Sequence, residues 1–161
     1  MGKLRKCIVG GVLLFNGSMD RVLLIKHKKL GVWIYPGGHM RQDENPFECA
    51  LRETFEETRA SFRVISSTNV EISGDGAVSL PNPLIIMKEI VPYREEPHEH
   101  FDMIYLGLAD DDSYQTNDES SDSGWFSEDQ IEELDTFDNV KSIIRYGFDV
   151  IRHRGVSDKT A

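Results

Sequence analysis

Two apolar runs open the chain, 5–15 (RKCIVGGVLLF) and 21–26 (RVLLIK), divided by the polar stretch NGSMD. Turn chemistry between β-branched and leucine-rich runs predicts a hairpin. Between 37 and 60 (GGHMRQDENPFECALRETFEETRA) the spacing becomes helical. At 100° per residue Phe47, Ala50, Leu51, Thr54 and Thr58 share one side, and Arg52, Glu53, Glu56 and Glu57 fall on the other. Asn45 suits the N-cap, Pro46 the first helical position, and Glu48 completes a capping box. Residues 61–72 (SFRVISSTNVEI) alternate as a half-buried strand does, and 73–83 (SGDGAVSLPNP) read as a long connection. LIIMKEIVPY and FDMIYLGLA then predict two strands flanking a polar turn, REEPHEH, and 110–124 (DDDSYQTNDESSDSG) read as an acidic loop. Ser127 can cap a short helix, and 138–152 predict a last helix whose Val140, Ile143, Ile144, Phe148 and Ile151 form a core stripe. No repeat interrupts this order, so a single domain over 1–161 is expected.

Composition narrows the classes. Thirty-nine per cent hydrophobic residues and two tryptophans in 161 residues support a packed globular domain. A net charge of −10 argues against stable nucleic-acid binding, yet admits a nucleotide whose charge a metal neutralises locally. The apolar run after Lys3, Arg5 and Lys6 is short and lacks a small-residue cleavage site, so a buried strand is expected rather than a signal peptide. The first strand begins almost at once, so a longer N-terminal domain is not expected. No stretch reaches membrane-span length. Cys7 and Cys49 both sit in apolar patterns and read as small core residues rather than a disulfide, which suits the cytoplasm.

Glu53, Glu56 and Glu57 place three carboxylates at i, i+3 and i+4, where like charges repel by a few tenths of a kcal/mol per pair. Most such clusters are solvated helix faces. This one follows a Gly-rich turn that exposes backbone carbonyls, a context that suits a hard divalent ion shared with substrate phosphate. Lys26 and the following His27, Lys28 and Lys29 are either phosphate contacts or solvated strand-end charges. His98 and His100, with Glu99 between them, read first as a solvent-exposed turn and second as transition-metal ligands.

Gly38, Glu44 and the run Arg52-Glu53-Thr54-Phe55-Glu56-Glu57 resemble the Nudix box, GX5EX7REUXEEXGU. Every charged position matches; Thr54 replaces an aliphatic residue, Arg59 the glycine, and Ala60 the last aliphatic. Gly31, Trp33, Pro36 and Gly37 also resemble the approach to that box. The resemblance implies the Nudix fold, an α/β/α sandwich around a mixed β-sheet, and hydrolysis of the pyrophosphate link in a nucleoside diphosphate linked to X. It implies Mg²⁺ or Mn²⁺ held by Glu53, Glu56, Glu57 and the Gly38 carbonyl, with Glu119 ahead of Trp125-Phe126 as a further ligand and Asp118 or Asp122 as substitutes. Arg52 would orient a carboxylate, Glu44 would support the loop, and either Glu53 or Glu56 would be the general base. Lys26, Trp33, His100 and Asp102 are the substrate-binding candidates. Nucleoside triphosphates are the favoured substrate class, and a homodimer is compatible with the sequence. A non-catalytic nucleotide-binding module on the same fold is the alternative, favoured by Arg59 and the loosened loop at Arg41 and Asp43. An interaction domain using the acidic loop at 110–122 is a further one.

Overall fold

The computed structural model describes residues 3–65, 70–91 and 96–157. The first apolar run becomes β1 (Arg5–Phe15), the strand on which the others assemble. Asn16 closes the turn after it, its side-chain oxygen accepting from the Asp20 and Arg21 N–H groups at 3.1 and 3.0 Å. β2 (Arg21–His27) returns antiparallel, so the hairpin forms as expected. β3 (Trp33–Ile34) pairs with β2, and β4 (Gly37–His39) pairs with β1 through Val9, Gly10 and Gly11.

Helix α1 (Pro46–Thr58) follows, then β5 (Phe62–Ile65) and a small hairpin of β6 (Ser73–Gly74) and β7 (Ala77–Val78). β8 (Ile85–Val91), β9 (His98–Ala109), β10 (Ser120–Ser127), a short α2 (Glu128–Ile131) and α3 (Asp138–Ser157) complete the chain. Among the described residues the main sheet runs β10-β2-β1-β9-β5, with β3 paired to β2, β4 to β1 and β8 to β9. β9 lies parallel to β1 along its whole length and antiparallel to β8 and β5, which makes the sheet mixed.

Alternation along β1 sends Val12 and Leu14 to one face and Leu13 and Phe15 to the other. Ala50 and Phe47 of α1 pack on the first with Leu23 and Tyr105. Val140, Ile143, Ile144, Phe148 and Ile151 of α3 pack on the second with Ile104 and Leu106. The result is the expected α/β/α sandwich. Phe15 and Phe148 meet edge to face at 4.9 Å, a contact worth about 0.5–1.5 kcal/mol beyond the area it buries. Gly10 lets α1 approach: a Cβ there would lie 2.7 Å from the Pro46 carbonyl oxygen and 2.8 Å from the Ala50 nitrogen.

Four expectations are corrected. His98, Glu99 and His100, expected in a turn, instead open β9, paired along β1, because backbone pairing outweighs a polar composition; 94–95 of that turn lie outside the described residues. The acidic loop ends at 119, and Ser120–Ser127 form a strand on β2 with an irregularity between Ser120 and Asp122. The strand expected over 61–72 is confined within the described residues to Phe62–Ile65, and 66–69 lie outside them. The connection at 73–83 contains β6 and β7 around Asp75-Gly76, both with positive φ, a turn that Asp-Gly favours.

Candidate active site

Helix α1 is built as its sequence dictates. The Asn45 side chain accepts from the Glu48 N–H at 3.0 Å, the Glu48 carboxylate accepts from the Asn45 N–H at 2.9 Å, and Pro46 opens the helix. At the other end Arg59 takes φ 54° and ψ 12°, the left-handed cap expected at the missing glycine, and its N–H donates to the Phe55 carbonyl at 2.8 Å. Its guanidinium lies over the Phe55 ring at 5.0 Å, which offsets part of the strain.

Arg52 is the hub of the carboxylates. Its Nη2 and Nε donate to the two oxygens of Glu44 at 2.6 and 2.9 Å, a bidentate pair that only a guanidinium forks to make. Nη1 reaches Glu53 at 2.7 Å and Glu56 at 3.1 Å, and Nη2 also donates to the His39 carbonyl at 3.1 Å. Hydrogen bonding to Arg52 pulls the Glu44 carboxyl down to about 2. Glu53 is raised by burial, which Arg52 partly opposes.

Glu57 departs from the expected grouping. It is turned into the protein, 3% exposed, and accepts from the Gly37 N–H at 2.9 Å. Its place seven residues after Ala50 and three after Thr54 puts it on the buried face, a signal present in the sequence. Burial lifts its carboxyl to about 8, opposed by the Gly37 N–H and reinforced by the charges of Glu53, Glu119 and Glu56. Glu119, expected from a distant loop, therefore shares an electrostatic neighbourhood with Glu53 and Glu57. The Lys28 N–H donates to the Glu119 carbonyl at 3.1 Å, tying that residue to the end of β2.

Gly38 lies against Glu53, since a Cβ on it would sit 2.5–2.7 Å from that carboxylate. Its carbonyl accepts from the Cys49 thiol at 3.3 Å. Gly37 and Gly38 also form part of the wall of a cavity of about 330 Å³. The same cavity is lined by Tyr35, His39, Glu89, His100, Asp102 and Asn139. Asp102 is 4% exposed; one oxygen accepts from the Tyr35 hydroxyl at 2.7 Å, and the other is buried with no hydrogen-bond partner among the described residues. Burial lifts its carboxyl to about 7, with the Tyr35 bond opposing. Glu89, also raised by burial, accepts from the Asn139 side chain at 3.2 Å. His100 is pushed down to about 4 by burial and by His39, His98 and Arg5.

Of the four expected substrate contacts, His100 and Asp102 line this cavity, whereas Lys26 and Trp33 do not. Lys26 and Trp33 are paired with one another across β2 and β3. The Trp33 ring packs edge to face on Phe126 at 4.8 Å, which gives it a packing role. Tyr35, Glu89 and Asn139 escaped sequence reasoning because they sit on separate elements with no common spacing. Both cysteines are free; Cys49 is buried as expected, but Cys7 is half-buried with its thiol beside His39 and His98.

The NUDIX domain family model matches residues 5–146, and the chain belongs to the Nudix family. It is 36% identical over 56 residues to the m7GpppN-mRNA hydrolase of Saccharomyces cerevisiae, covering 34% of this chain and 6% of that protein. It is also 36% identical over 75 residues to the Caenorhabditis elegans m7GpppN-mRNA hydrolase dcap-2, covering 44% of this chain and 10% of that protein. The chain thus spans a small part of the curated relatives it matches. A NUDIX-family hydrolase from Clostridium perfringens shares the fold at a TM-score of 0.73 and 21% identity, over 92% of this chain and 99% of that one. A C. elegans Ap4A hydrolase does so at 0.69 and 14%, over 91% and 98%. Among the described residues no helix is long and apolar enough to cross a membrane.

Proposed function

We propose that this chain is a divalent-metal-dependent pyrophosphohydrolase that cuts the pyrophosphate link of a nucleoside diphosphate linked to X, with nucleoside triphosphates the first class to test. The observation that carries the reading is Glu57, a carboxylate buried among other carboxylates and lifted to about 8. Such a group is ionised at neutral pH once a cation lies beside it, and the all-oxygen donor set fits Mg²⁺ or Mn²⁺. Glu56, Glu57 and Glu119 would hold the ion, with the Gly38 carbonyl as a further oxygen ligand. Bound there, the ion supplies charge neutralisation for the diphosphate and a more acidic water.

The chain's own groups do the rest. Arg52 holds Glu53 and Glu56 in one orientation through Nη1, and Glu44 fixes Arg52 in turn. Glu53 abuts Gly38 at the cavity wall, and in place of a ligand role it takes the proton from the attacking water. The unpartnered Asp102 oxygen accepts an N–H from the nucleobase, and Tyr35 keeps that carboxyl in place. Relatives named as an m7GpppN-mRNA hydrolase and an Ap4A hydrolase support a nucleotide substrate. Free thiols suit a cytoplasmic setting.

The test is product analysis with Mg²⁺ and Mn²⁺ over nucleoside triphosphates, 8-oxo-dGTP, ADP-ribose, a diadenosine polyphosphate and a nucleotide sugar, with Glu56→Gln in parallel. Metal-dependent cleavage that the variant loses supports the reading. Tight nucleotide binding with no turnover at any metal level would replace it with the binding-module alternative.

A further inference from the structure

Three imidazoles and a thiol converge at one corner of the sheet, with no role in the proposed hydrolytic step, although His39 and His100 also line the cavity. In the β1–β9 register Arg5 faces His98 and Cys7 faces His100, and in the β1–β4 register Val9 faces His39. Paired positions share a face, as do residues two apart, so Cys7, His39, His98 and His100 all project from one face. The Nε2 atoms stand 2.8 Å apart for His98 and His100, 3.1 Å for His39 and His100, and 3.3 Å for His39 and His98. The Cys7 sulfur lies within 4.8 Å of ligating nitrogens of His39 and His98.

Hydrogen bonding among the rings does not account for this triangle. Each neutral Nε2 carries either a proton or a lone pair, so at least one of three mutual contacts must join like groups. The Nδ1 of His98 is 2.9 Å from the Glu96 carbonyl oxygen. A carbonyl only accepts, so Nδ1 is the donor there and Nε2 is the ring nitrogen that faces His39 and His100. That is the arrangement in which metal-ligating histidines are fixed. Nitrogens bound at about 2.0–2.1 Å in a tetrahedron stand roughly 3.3 Å apart, close to the spacings found.

We propose that Cys7, His39, His98 and His100 form a tetrahedral site for a borderline transition ion of the zinc class, separate from the carboxylate cluster. Imidazole and thiolate prefer such ions to Mg²⁺. Binding releases the Cys7 proton to solvent and leaves a thiolate on the ion. The ion ties β4 to β1 and β9. β4 carries Gly37 and Gly38, and the His39 carbonyl accepts from Arg52, so the ion braces the strand on which the box arginine and Glu57 rest.

The test is Zn²⁺ binding by the metal-free protein against a chromophoric chelator, without nucleotide, with Co²⁺ as the spectroscopic probe. One equivalent should bind, and affinity should fall at least a hundredfold in His39→Ala, an exposed position whose loss leaves packing intact, and in His98→Asn. Co²⁺ should give tetrahedral bands with a thiolate charge-transfer absorption that Cys7→Ser abolishes. Glu56→Gln should bind Zn²⁺ as tightly as the parent, so failure here leaves the hydrolase reading untouched. Equal affinity in the parent and His39→Ala overturns the site. A six-coordinate Co²⁺ spectrum indifferent to Cys7→Ser overturns it as well.

Discussion

Glu57→Gln gives the sharpest thermodynamic test of the carboxylate cluster. In the metal-free protein burial lifts Glu57 from 4.5 to about 8. At about 1.4 kcal/mol for each pKa unit, the buried carboxylate costs roughly 4–5 kcal/mol when ionised. The folded pKa lies above the unfolded one, so the contribution is fully present below about 4.5 and is lost as pH rises to about 8. Glutamine keeps an oxygen for the Gly37 N–H and carries no charge. In chelator, the parent should therefore lose stability across that window while Glu57→Gln stays nearly flat. For a chain of this size the gap at pH 8 corresponds to roughly 8–16 °C in Tm. Added Mg²⁺ should raise the parent's Tm at pH 8 and leave the variant's nearly unmoved, because a bound cation stabilises the ionised form only where the carboxylate exists. Thermal melts at pH 5, 7 and 8, with and without Mg²⁺, read all of this. Parallel pH profiles for the two proteins, or equal Mg²⁺ shifts, would refute the reasoning.

Thr54 is fully buried with its hydroxyl unpartnered among the described residues, so Thr54→Val should stabilise the fold by about 1 kcal/mol, or 2–4 °C, and an unchanged or lower Tm counts against it. Arg59→Gly relieves a left-handed backbone costing on the order of 1 kcal/mol but loses the contact on Phe55, so a small rise in Tm is expected and a fall would contradict it. Arg52→Lys keeps the charge and loses the fork to Glu44, so kcat should drop on the order of 10–100-fold with the circular dichroism spectrum unchanged; normal kcat would remove Arg52 from its positioning role.

Helix α1 was legible in full because its signals are local: the capping box, Pro46, and the spacing of Glu44, Arg52, Glu53 and Glu56 all act within a few turns. Glu57 carried the same local information, in its distance from Ala50 and Thr54, yet grouping it by charge hid its burial. β10 was not legible, since Ser120–Ser127 are mostly small and polar and their strand state comes from β2. His98 and His100 looked like a turn for the same reason; only the parallel register with Arg5 and Cys7 shows what they face. The cavity is non-local altogether. Glu89 of β8, Asp102 of β9, Asn139 of α3 and Tyr35, from between β3 and β4, meet only in the fold, and no spacing in the chain links them. Glu119 was reached through the family resemblance, and its charge does bear on Glu53 and Glu57.

The central claim is that the carboxylate cluster activates water to break a phosphoanhydride. Hydrolysis of the best nucleotide from the panel in ¹⁸O-enriched water with Mg²⁺, followed by phosphorus NMR, tests it directly. The account predicts one ¹⁸O in one phosphate product, cleavage between two phosphorus atoms, and loss of both in chelator and in Glu53→Gln. Cleavage that persists in chelator, or that survives Glu53→Gln at the parent rate, would contradict it.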